Sequence, residues 1–135
     1  MEPWFDIDID VPRDLVRIRM GGFFTLEAME RFRIARDLAH LKLRCAPNAH
    51  LTLTDISQMA IQSQDMVIAF QRLLSDPVAR SRKLAFIHGT TLARMQVQRA
   101  AANRYMRTFA TAAEAEAWLF APDEDELPQP VAATG

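Results

Sequence analysis

His88-Gly89-Thr90-Thr91 follows a stretch that reads as a buried strand, Lys83-Leu84-Ala85-Phe86-Ile87-His88. Asp55 and Ser57 end a second such stretch beginning at Leu51-Thr52-Leu53-Thr54, and Ser63 opens the helix after it. In open α/β sheets, ligand sites form just outside the carboxyl ends of parallel strands. Asp55, Ser57, Ser63, His88 and Thr90 are therefore the candidate binding cluster. Acid–base catalysis by Asp55 and His88 would require both groups within hydrogen-bond reach of one point. The more economical reading of the same residues is as helix caps and loop hydrogen bonds.

Other chemistry-bearing residues are less promising. Asp6, Asp8 and Asp10 share one strand face at steps of about 6.5–7 Å, a linear array, whereas hard cations want converging oxygens. Arg17 and Arg19 on the next strand neutralise that face more simply, so no metal is expected. Cys45 is the single cysteine and cannot form an internal disulfide. It lies before a proline turn and reads as a passive thiol. His40 and His50 have no ligand-spaced neighbours and read as surface or packing residues. Gly21, Gly22 and Gly89 are the only glycines before the terminal Gly135, so there is no phosphate-cradling loop and no Gly-x-Ser-x-Gly elbow. No cofactor is implied.

Half of the 135 residues are hydrophobic and 24% are charged, the balance of a globular domain. No apolar run approaches the roughly 20 residues of a membrane span, and the start lacks the pattern of a signal peptide. A cytoplasmic location is expected. The net charge is -1, but it is unevenly placed. From Arg72 to Arg107 there are eight basic residues and one acid, Asp76, while Asp123 to Glu126 make an acidic end. That split fits a basic binding face, or an acidic tail folded over a basic surface. Arg94 and Arg99 lack interleaved aromatics, so no nucleic-acid partner is expected.

The elements that must position these residues follow from periodicity. Phe5, Ile7, Ile9 and Val11 alternate with aspartates, and Val16, Ile18 and Met20 alternate with arginines. A hairpin turned at Pro12-Arg13-Asp14 sets the Asp face beside the Arg face. Gly21-Gly22 is expected to break the second strand. Thr25 caps a helix to about Leu43, whose buried stripe is Ala28, Met29, Phe32, Ala35, Leu38 and Ala39. Leu51 to Thr54 is a strand, and a second helix from about Ser63 stops at Asp76-Pro77. Lys83 to His88 is a strand, Thr91 to about Ala102 a helix, and Tyr105 to Phe109 a strand. Thr111 with Glu114 is a capping-box start for a helix over 112–120. The fold class is α/β: an open mixed sheet of about five strands with about four helices, an antiparallel hairpin followed by parallel β-α units. Residues 1–121 form one domain, and 122–135 an acidic, proline-containing tail.

Leu51-Thr52-Leu53-Thr54-Asp55-Ile56-Ser57 resembles the strand that ends in an Asp-Leu-Ser element in STAS domains, the anti-sigma-factor-antagonist fold. Thr108 to Leu119 is similar to their last strand and capped Glu-Ala-rich helix, and Gly22-Phe23 suits the small bacterial stand-alone forms. The resemblance spans about Phe5 to Ala121. It implies a SpoIIAA-like fold and a non-catalytic regulatory or protein-interaction module. STAS antagonists start their second helix with Asp-Ser-Ser/Ala-Gly and are phosphorylated on serine. Gln62-Ser63-Gln64-Asp65 keeps a serine without the acid and glycine, so Ser63 is expected to act as a cap. The alternative function is binding of a small ligand, a lipid or amphipathic anion, in an apolar groove beneath the helices. A protein partner is expected, and Trp4, Phe23, Phe24 and Trp118 point to a homodimer.

Overall fold

The computed structural model describes residues 1–101 and 105–122. β1 (Trp4–Asp10) and β2 (Leu15–Gly22) flank a short 3₁₀ turn over Val11–Arg13. There follow α1 (Leu26–His40), β3 (Leu51–Met59), α2 (Gln64–Leu74), β4 (Lys83–Ile87), α3 (Thr91–Ala100), β5 (Met106–Phe109) and α4 (Ala112–Phe120). The strands form one sheet in the order β1-β2-β3-β4-β5. β1 is antiparallel to β2, and the other pairs are parallel.

Strand order that follows chain order has a consequence. Each parallel crossover steps in the same direction with the same right hand, so α1, α2 and α3 share one face. Val16, Ile18, Met20, Phe24 and Phe32 make the core under α1 and α2, and Ile56, Leu84 and Phe86 that under α3. α4, coming after the last strand, covers the other face through Ala115 and Leu119 against Leu53, Ala85 and Ile87. The β1–β2 end of that face carries the charge ladder. Asp6 lies opposite Arg19 and Asp8 opposite Arg17; Arg19 pairs with Asp6 at 3.3 Å, and Arg17 reaches Asp10 at 3.5 Å and also Glu116 of α4.

Several expectations need correction. α1 ends at His40 rather than Leu43. On α1, Leu38 is exposed and Arg36 is buried, because Arg36 stands one helical turn beyond Phe32 on the inward stripe and Leu38 stands off it. Gly21 and Gly22 continue β2 instead of breaking it, with Gly22 at φ +83° where a side chain would be strained. β3 runs to Met59, so Asp55 and Ser57 are strand residues. The β2–β3 register shifts between Arg19 and Gly21, which pair with Asp55 and Gln58. A β-bulge at Ile56-Ser57 is the reason. Phe24 is interior, at 1% exposure, and Trp118 packs on Tyr105 and Phe109; neither is spare surface for a dimer. Trp4 and Phe23 remain exposed. Arg104, the end of α3 expected at Ala102, and the acidic tail from Asp123 lie outside the described residues.

Candidate functional site

At the carboxyl ends of β3 and β4, each predicted site residue has a local duty. Asp55 accepts a hydrogen bond from the Ser57 N–H at 2.9 Å, which satisfies a donor at the bulge. Ser63 is the N-cap of α2, its Oγ accepting from the Met66 N–H at 3.2 Å. Thr90 caps α3 by accepting from the Ala93 N–H at 3.0 Å. The structure brings Ser57 against the His88-Gly89 loop. A Cβ built on Gly89 would stand 2.6 Å from the Ser57 carbonyl oxygen, so only glycine lets the loop approach so closely.

Asp55 and His88 are not brought to one point. Asp55 continues the face of Leu51 and Leu53, which pack with α4. The N–H groups of Leu84 and His88 donate to the carbonyls of Tyr105 and Phe109. The ladder thus carries the parity of Leu84 and Phe86, which face α3, on to His88. The two side chains fall on opposite faces of the sheet. The half-buried His88 keeps one ring nitrogen, Nδ1, without a hydrogen-bond partner among the described residues.

A second region lies beneath the helices. A pocket of about 100 Å³, partly open to solvent, lies between the sheet and α1, α2 and α3. Ile18, Phe32, Ile56, Phe70, Leu84 and Phe86 are among the side chains of its apolar body. At the amino ends of β3 and β4 its lining turns polar, with Arg36, His40, Thr52, Asp76 and Ser81. The Arg36 side chain is 8% exposed; it holds Asp37 at 3.1 Å and stands 3.9 Å from Asp76. His40 packs on His50 with ring centroids 4.7 Å apart. Burial, reinforced by the Arg36 charge, pushes the His40 imidazole below the ordinary histidine value, against a smaller upward pull from Asp37.

Gln62 and Gln96 line the other end of this cavity. The Gln62 side chain accepts from the Phe24 N–H at 2.8 Å and donates to the carbonyls of Gly22 and Ala60. Its backbone N–H and carbonyl both bond the Gln96 side chain at 2.9 Å. Arg36 and Gln62 were not among the residues singled out by the sequence. The helical spacing of Arg36 from Ala28 and Phe32 was a usable signal for its burial; Gln62 carried none. Cys45 lies beside His40 and His50 in a shallow recess of about 220 Å³. Burial and then the nearby Asp14 push its thiol up, which keeps it in the unreactive form.

No family model matches the chain, and no curated protein matches it. Solved structures do. An uncharacterised protein of the DUF3478 family with a SpoIIAA-like fold, from Shewanella loihica PV-4, superposes with a TM-score of 0.68 at 17% identity, over 88% of this chain and 96% of that one. The anti-sigma factor antagonist SpoIIAA in its unphosphorylated form gives a TM-score of 0.55 at 17% identity, over 84% of this chain and 93% of that one. The chain has the SpoIIAA-like α/β fold. Among the described residues, no helix is long and apolar enough to cross a membrane.

Proposed function

We propose that this chain is a STAS-like regulatory module that works by binding another protein, with no chemistry of its own. One observation carries the reading. Along the edge where β2, β3 and β4 end, apolar side chains stand exposed: Phe23 at 42%, Ile61 at 42% and Leu92 at 61%. The polar residues beside them, Ser63 and Thr90, cap helices, so this edge offers contact area more than reacting groups. Exposed apolar side chains ringed by polar ones are the usual form of a protein-binding patch. SpoIIAA, whose fold this chain shares, is named as an anti-sigma factor antagonist.

The test compares the intact chain with Ile61→Asp and Leu92→Asp as bait in extract from its own cells. The reading expects a protein recovered in stoichiometric amount by the intact chain and lost by both variants, with their melting unchanged. Recovery of nothing by the intact chain, or equal recovery by all three, would defeat it. Homodimerisation, using Trp4 and Phe23, is a narrower proposal; a monomer mass by light scattering at micromolar concentration removes it.

A further inference from the structure

We infer that the cavity under α1, α2 and α3 is a binding site for a short-chain carboxylate, with Arg36 as the residue that holds the anion. Its polar end lies at the amino ends of β3 and β4, opposite the protein-binding edge, while its Gln62 and Gln96 end reaches toward that edge.

Size, polarity and charge point to one class of ligand. An apolar cavity of about 150 Å³ takes up benzene. The space here, about 100 Å³, suits a somewhat smaller apolar group, on the order of four to six carbon atoms. Most of its wall is hydrocarbon, so the tail must be uncharged. The polar end holds a guanidinium that is nine-tenths buried. A buried cation is costly unless hydrogen-bonded charge surrounds it, and here that surrounding is incomplete. Arg36 Nε and Nη2 both bond a single oxygen, Oδ1 of Asp37. Asp37 is also shared with Arg33 at 3.1 Å, and Asp76 stands off at 3.9 Å. Nη1 makes no hydrogen bond among the described residues and is not fully buried, so a ligand or water can reach it. A guanidinium presents its donors as a planar fork matched to a carboxylate. Thr52 and Ser81, both at this end of the lining, add polar groups. An anion on a short apolar tail takes the Nη1 donor that Asp37 leaves over, against the repulsion of Asp76 at the same end of the lining; a neutral molecule gains less from the cation, and a bulky headgroup does not fit beside it.

The experiment titrates the full chain with butyrate, hexanoate and octanoate, and with hexanol as an uncharged match to hexanoate, by calorimetry and thermal melting. Saturable one-to-one binding is expected for the acids, strongest at four to six carbons and weaker for octanoate. Arg36→Met should lower hexanoate affinity about tenfold or more, the loss expected for hydrogen bonds to a charged group, and leave hexanol binding unchanged. Ala93→Leu projects into the cavity from α3 and keeps the guanidinium; it should abolish binding of acid and alcohol alike without lowering the melting temperature. This second variant keeps the test decisive if Arg36→Met does not fold. No saturable binding of any acid overturns the inference. So does unchanged hexanoate binding by either variant.

Discussion

Lys83 opens β4 and is fully buried, yet no other lysine or arginine sits in the last turn of α4 that it serves. Its Nζ donates to the carbonyls of Trp118 at 2.8 Å and Ala121 at 2.9 Å and lies 4.9 Å from the centre of the Trp118 ring. The ammonium therefore caps the carboxyl end of α4, where the helix dipole favours a cation, and an aromatic face adds to its hold. Lys83→Met keeps the length of the side chain and removes the donors. Two hydrogen bonds from a charged donor are lost, at about 1.5–3 kcal/mol each at most, because the Trp118 carbonyl keeps the Ala121 N–H at 3.3 Å and Ala121 is exposed to water. Relief from burying a charge returns several kcal/mol at most, and the better packing of a thioether in an apolar site returns a little more. The net expectation is a loss of about 1 kcal/mol. For a domain of this size that lowers the melting temperature by roughly 3–5 °C. Equilibrium urea unfolding, with an unchanged slope, measures it directly. A Lys83→Met protein as stable as the parent, or more stable, would refute the capping argument and show that burying the charge dominates.

Other predictions rest on single contacts. Ser63→Ala should cost about 1 kcal/mol as a lost N-cap, and phosphate mapping on protein from its own cells should find Ser63 unmodified; substantial phosphate there would contradict the structural role. Gly89→Ala forces a Cβ to 2.6 Å from the Ser57 carbonyl and should destabilise by about 1–3 kcal/mol; a neutral result in urea would mean that the loop does not rest on Ser57. The lowered His40 value means that the unfolded chain takes up that proton first as pH falls. Stability should therefore decline from about 6.5, the ordinary histidine value, down to the folded-state value. His40→Gln should flatten the change between pH 7.5 and 5.5, and an unaltered slope would assign it elsewhere.

The elements were legible where local chemistry decides them. Alternation in Phe5–Val11 and Val16–Met20 specified both strands and their pairing, and Thr25, Ser63 and Thr111 are the N-caps of α1, α2 and α4. What was not legible depends on two segments at once. The bulge at Ser57 arises from how β3 must register with β2 after Arg19, and no residue of β3 alone encodes it. The length of β3 followed from the same pairing, since Gly21 and Gly22 extend β2 and give Gln58 and Met59 partners. The cavity is a remainder, the volume that helices and sheet fail to fill, and a difference of that kind has no motif. Arg36 was hidden by its type: a charged residue on an inward stripe reads as solvent-facing until the geometry shows otherwise.

The departure at the start of α2 gains a physical meaning from Gln62. In the motif that Gln62-Ser63-Gln64-Asp65 resembles, an acid precedes the serine, and an ionised carboxylate can only accept. Here the side chain must do both: it takes the Phe24 N–H and gives to the Gly22 and Ala60 carbonyls. An ionised acid in that position would face two carbonyl oxygens with no proton to offer, and each contact would turn repulsive. An amide is the side chain that meets all three demands. With the Gln96 bonds to its backbone, Gln62 ties the ends of β2 and β3, the segment leading into α1, and α3 into one unit directly beside Ser63. A switch at this helix end would need that unit to shift when charge arrives. The hydrogen bonds oppose any such shift, and Asp65 in the first turn of α2 would repel added phosphate. Gln62 thus ties together the edge around Ser63, and the protein-binding reading proposed above accordingly expects recognition by a standing surface rather than a phosphate switch.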